Sequence, residues 1–111
     1  KQKTAYHREW SLFLLNHGRR VGEVLSKAQE ELKTRQDIYG YDVTAWALHA
    51  SGRDAEARQM MNHALSLGTQ DAMLFYHAGM IDRALGRTTD AGRELAHART
   101  LNPYLVAGAA E

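Results

Sequence analysis

The chain has 111 residues, 44% of them hydrophobic, with one proline and no cysteine. That length is about one domain by the usual prior, and the missing thiols exclude disulfides and thiol catalysis. Fourteen basic residues against thirteen acidic ones leave no global field to gather nucleic acid or an anionic membrane surface, and the longest apolar runs fall far short of the roughly 20 residues a membrane helix needs.

Along the chain, Tyr6, Trp10, Phe13 and Leu14, then Val21, Val24, Leu25, Ala28 and Leu32, recur at three- and four-residue spacings. This is the period of an amphipathic helix, and it predicts helices near 4–16 and 20–35. Further helices are expected near 39–51, 54–67, 70–85 and 88–101. The breaks fall at His17-Gly18, Ser51-Gly52, Gly68-Thr69 and Leu85-Gly86, where glycine can take the left-handed conformation that ends a helix. No segment sustains a period-two alternation, so the fold class is all-α. Asp54, Thr69 and Thr88 are expected to cap the helices that follow them. Glu23, Glu30, Glu31, Glu56 and Glu94 read as solvent-facing helix residues.

Gly18, Gly52 and Gly86 stand 34 residues apart, each followed by arginine. Sliding residues 37–70 onto 71–104 leaves eight identities: Asp37, Ala50, Gly52, Arg53, Ala57, His63, Ala64 and Leu67 return as Asp71, Ala84, Gly86, Arg87, Ala91, His97, Ala98 and Leu101. Tyr41 is matched by Phe75, Ala45 by Gly79 and Met61 by Leu95. Most of these positions are small or apolar, as stacked helical hairpins require where each unit buries a face against the next.

In the unit starting at Ala72, Phe75, Ala78-Gly79, Gly86, Ala91, Leu95, Ala98 and Pro103 follow one another. The unit starting at Ile38 carries Tyr41, Ala45, Leu48, Gly52, Ala57, Met61 and Ala64. This pattern resembles the tetratricopeptide repeat (TPR) over residues 38–103, with departures at Thr44 and at Thr69, where the family often has leucine and a closing proline. In residues 4–37, Trp10, Ser11, Leu14 and Gly18 keep the register, but Val21, Leu25 and Ala28 arrive about two positions early. The resemblance implies an α-solenoid of about three antiparallel hairpins in a single domain, 1–111: an altered hairpin at 4–37, repeats at 38–71 and 72–105, and a tail or the start of a cap at 104–111. Because the chain opens at Lys1 rather than methionine, it is read as a piece of a longer protein.

In tetratricopeptide proteins the second, fifth, ninth, twelfth and thirteenth positions of each unit usually line a concave groove. Carried over by register, the resemblance implies Tyr39, Asp42, Trp46, His49 and Ala50 in one unit and Met73, Tyr76, Met80, Arg83 and Ala84 in the next, with His77 beside them. Arg8, Leu12 and Asn16 are the corresponding set in the altered hairpin. Aromatic side chains offer rigid contact area and methionine adapts to irregular shapes, so the implied function is capture of a peptide or protein segment. At this stage Trp46 and Tyr39 remain open between groove and core. The lysine, asparagine and arginine of the chaperone-tail clamp are absent, with Met73, His77 and Val43 at relevant positions.

Other chemistry finds little support in the sequence. Six histidines are present, yet no pair has the i, i+4 spacing that puts two imidazoles on one helical face, so no metal or other cofactor is expected. There is no His-Glu-x-x-His, Gly-x-Ser-x-Gly or Walker loop, and no enzyme is expected. Arg53 and Arg87 could form a basic stripe, or be solvated beside helix ends. The apolar stretch after Pro103 raises an alternative: an assembly module of a larger scaffold protein, self-associating or continuing through its end faces.

Overall fold

The structure is a computed structural model and describes residues 2–104. The expected tail lies outside the described residues except for Tyr104, which is exposed. Among the described residues there are six helices and no strand: α1 Gln2–Asn16, α2 Val21–Leu32, α3 Ile38–Ala50, α4 Asp54–Ser66, α5 Ala72–Ala84 and α6 Thr88–Leu101.

Three of the breaks between helices are chemically alike. Gly18, Gly52 and Gly86 have φ of 64°, 80° and 81°, a region in which a Cβ is costly and glycine is not. After each of them, the next residue's N–H reaches back five residues: Arg19 donates to the Leu14 carbonyl, Arg53 to Leu48 and Arg87 to Asp82, at 2.8, 2.8 and 2.9 Å. Each glycine N–H also bonds three residues back, to Leu15, His49 and Arg83. These paired bonds satisfy the orphan carbonyls of a helix end in a Schellman motif, and they recur at the 34-residue spacing seen in the sequence.

The helix starts differ from expectation. Asp37 caps α3 by accepting from Gly40 N–H at 2.8 Å, and Asp71 caps α5 by accepting from Met73 N–H at 2.8 Å. Asp54 and Thr88 are instead the first residues inside α4 and α6, behind Arg53 and Arg87, and neither helix has a side-chain cap. Thr69 lies in the connection before α5. The Schellman turn makes each return so short that α4 and α6 begin directly after the arginine, leaving Asp54 free to bond His49 across the turn.

Neighbouring helices pack in sequence order, and α3 also packs on α1 and α5. Packing is densest within the α3/α4 and α5/α6 pairs and sparse between α1 and α2. Ala45, Ala47, Ala57, Met61, Ala64, Ala78, Ile81 and Ala98 are fully enclosed, small residues predominating where backbones come close. At Gly79 a Cβ would lie 2.6 Å from Leu95 Cγ and 3.2 Å from the Ala91 carbonyl. The repeated histidines each sit against the repeated aromatic: His63 stacks on Tyr41 with centroids 5.0 Å apart, and His97 meets Phe75 edge-on at 4.4 Å.

Candidate functional site

Because α3 lies against both α1 and α5, side chains from these three helices converge. Arg8 of α1 reaches Asp42 of α3 at 3.5 Å and places its guanidinium 4.3 Å from the Tyr39 ring centroid. On its other oxygen Asp42 meets His77 Nδ1 of α5 at 2.7 Å, and both side chains are about 1% exposed. A carboxylate oxygen accepts, so His77 Nδ1–H is the donor in this bond.

Trp46 stands at the centre. Its ring stacks on His77 at 4.0 Å and on His49 at 4.7 Å, with Tyr76 tilted against it at 6.0 Å. Its Nε1–H donates to Asn16 Oδ1 at 2.9 Å. At 7% exposure Trp46 is core, which resolves the alternative the sequence left open. Asp42, Trp46 and His77 therefore form a hydrogen-bonded, ring-stacked floor beneath the surface.

The remaining residues of the set lie at or near that surface. Tyr39 is 39% exposed, Arg83 is exposed, and Tyr76, Met80 and His49 are half-buried. Met80 and Arg83 follow Tyr76 at i+4 and i+7, on one stripe of α5. Met73 is half-buried and Ala50 and Ala84 are exposed at helix ends, while Leu12 is buried and Asn16 exposed. The face thus offers aromatic, thioether and cationic contacts over a floor in which Asp42 is bonded to Arg8 and His77 and the Trp46 indole N–H to Asn16.

A second cluster escaped sequence reading. Glu94 of α6 is 8% exposed rather than solvent-facing, because Arg58 of α4 reaches over to bond both it, at 3.1 Å, and Asp82 of α5, at 2.8 Å. Asp82 occupies the register position of Leu14 and Leu48, both buried. One oxygen on each carboxylate, Asp82 Oδ1 and Glu94 Oε1, has no hydrogen-bond partner. Burial and the neighbouring Asp82 push the Glu94 carboxyl up to about 7, against the pull of Arg58. The aspartate at a position filled by leucine one repeat earlier is the signal the sequence carries.

Arg53 and Arg87 do not form a free basic stripe: Arg53 pairs with Glu56 at 2.7 Å, and Arg87 lies 3.7 Å from Asp90 and 3.9 Å from Asp82. Among the described residues no group of three or more histidine and acidic side chains is arranged to hold a metal ion, and no helix is long and apolar enough to cross a membrane. In comparisons with protein-family models, with curated proteins and with solved structures, nothing matches this chain.

Proposed function

We propose that this chain is a TPR-like helical-repeat module that captures a peptide or protein segment on the face made by α1, α3 and α5, without catalysis of its own. One observation carries the reading: Tyr39, Tyr76, Met80 and Arg83 stand exposed or half-exposed over a floor already locked by the Asp42–His77 bond and the Trp46 stack. A rigid floor spares a partner the ordering cost of its binding site, and aromatic and arginine side chains are the residues that most often dominate interface energies. The 34-residue recurrence of the Schellman bonds supports the repeat assignment.

The test compares wild type with Tyr76→Ala/Arg83→Glu as baits, with retained proteins identified by mass spectrometry. Arg83 is exposed and Tyr76 half-buried against Trp46, so circular dichroism and thermal unfolding first establish that the variant keeps its fold. A partner held by wild type and lost by the variant supports the reading; a partner retained equally by both removes it.

A second reading is favoured by exposed apolar residues near the C-terminal end, where Leu101 is 37% and Tyr104 88% exposed and, among the described residues, α6 packs its backbone mainly against α5. Such an end can associate with another copy or with a neighbouring segment of a larger scaffold. Light scattering on wild type and Leu101→Glu checks it: a concentration-dependent mass abolished by the substitution supports end-to-end assembly.

A further inference from the structure

Between α1, α2 and the first turns of α3 there is a cleft of about 200 Å³. It lies where packing between neighbouring helices is sparsest. Four cations, Arg8, Arg20, Lys27 and Arg35, line it together with the aromatic rings of Trp10 and Tyr39. Leu14, Val24 and Val43, each 7% exposed, supply apolar walls. The lining acids are Glu23 and Glu31 alone.

The cations differ in how far they are already engaged. Arg35 is held by Asp37 at 3.1 Å. Arg8 makes one long bond, 3.5 Å to Asp42, and its Nε has no partner. The side chains of Arg20 and Lys27 make no ion pair among the described residues. Arg20 also has φ 54° and ψ 34°, the one non-glycine residue among those described with positive φ. An L-residue in that region is strained by its Cβ, and glycine would relieve it. The strained position thus carries a cation that lines the cleft.

Size and charge narrow the occupant. About 200 Å³ is below the roughly 300–1,000 Å³ of small-molecule and cofactor sites, and admits one apolar side chain. The cationic lining complements carboxylates on either side of that residue. We propose that the cleft receives the apolar residue of a short acidic peptide segment, whose flanking carboxylates are held by Arg8, Arg20 and Lys27. This rests on the interaction-module reading and adds to it the chemistry of the partner, because Arg8 and Tyr39 belong to both the cleft and the α1/α3/α5 face.

The probe is a fluorescein-labelled peptide of about ten residues, rich in glutamate around a single central leucine, followed by anisotropy. Saturable binding is expected, weakened about tenfold or more by Arg20→Glu/Lys27→Glu, by serine in place of the leucine, and by raising salt from about 50 to about 300 mM. Arg20→Gly should raise the melting temperature while weakening binding, a combination that a purely structural arginine would not give. The proposal is overturned if the peptide does not bind, if Arg20→Glu/Lys27→Glu binds it unchanged, or if a lysine-for-glutamate peptide binds equally well. Should that happen while the bait comparison with Tyr76→Ala/Arg83→Glu still loses a partner, the interaction module stands and only the cleft assignment falls. If the bait comparison fails as well, the module reading falls with it.

Discussion

His77 Nδ1 lies 2.7 Å from Asp42 Oδ1, joining α5 to α3 through two side chains that are each about 1% exposed. A buried pair of this kind is worth less than its Coulomb energy, since both groups were stripped of water, but removing one member leaves the other uncompensated. Asp42 also accepts from Arg8 of α1, so this one carboxylate ties together the three helices of the proposed binding face. Asp42→Ala should therefore cost about 3 kcal/mol in urea denaturation, and Asp42→Asn, which keeps an acceptor for His77, about half of that. A cost for Asp42→Ala within about 0.5 kcal/mol of zero, the range of ordinary surface changes, would remove Asp42 from this role.

Trp46 combines burial with a directed hydrogen bond to Asn16. Trp46→Ala should cost about 3–5 kcal/mol, as large-to-small core substitutions do. Asn16→Ala should cost about 1–2 kcal/mol, because it leaves a buried indole N–H without an acceptor. Thermal or urea unfolding of both variants checks this. Loss of partner capture by Trp46→Ala would then report unfolding, which is why substitutions at Tyr76 and Arg83 are the informative ones for binding.

Gly79 allows α5 and α6 to approach so closely that a methyl group would collide with the branched Cγ of Leu95. One repeat earlier the same two positions hold Ala45 and Met61, both fully buried, so an extra methyl on one helix goes with an unbranched side chain on the other. Gly79→Ala should destabilise by about 1–3 kcal/mol through overpacking, and Leu95→Met should restore much of that loss in the double variant. A double-mutant cycle measures the coupling; additive effects would show that the two sites do not share the contact.

The Arg58, Asp82 and Glu94 cluster makes stability depend on pH in a definite direction. In the folded chain burial and Asp82 raise the Glu94 carboxyl from 4.5 to about 7, so the native state holds the proton more tightly than the unfolded state does. The stabilisation this confers is complete below 4.5 and is lost as pH rises through about 7. Discounted for solvent screening, the loss attributable to Glu94 is on the order of 2 kcal/mol. Denaturation midpoints of wild type minus those of Glu94→Gln, followed between pH 5 and pH 8, should fall with pH; a flat difference would contradict the assignment.

Much of the fold was legible because its signals are local. The helix ends at Gly18, Gly52, Gly68 and Gly86 all take positive φ, and the helix extents match the apolar spacing closely. Helix starts were less legible: α4 and α6 have no side-chain cap where Asp54 and Thr88 are expected to supply one, and α5 is capped by Asp71 rather than Thr69. The choice depends on how tightly the preceding turn closes, which the sequence does not spell out. The candidate site was legible by register, but not by depth. Asp42, Trp46 and His77 lie on the expected helices and meet as neighbours, yet contacts between helices 30 to 35 residues apart in sequence bury them. Glu94 was misjudged for the same reason, since the arginine that draws it inward stands 36 residues away on α4.

The central claim is that partners bind over Tyr76 on the α1/α3/α5 face. Site-specific photo-crosslinking tests it most directly, with a benzophenone amino acid placed at Tyr76 or, as the comparison, at exposed Gly92 on α6. Crosslinks to the captured partner from position 76 and none from position 92 are the predicted result. Crosslinks from position 92 with none from position 76 would contradict the account.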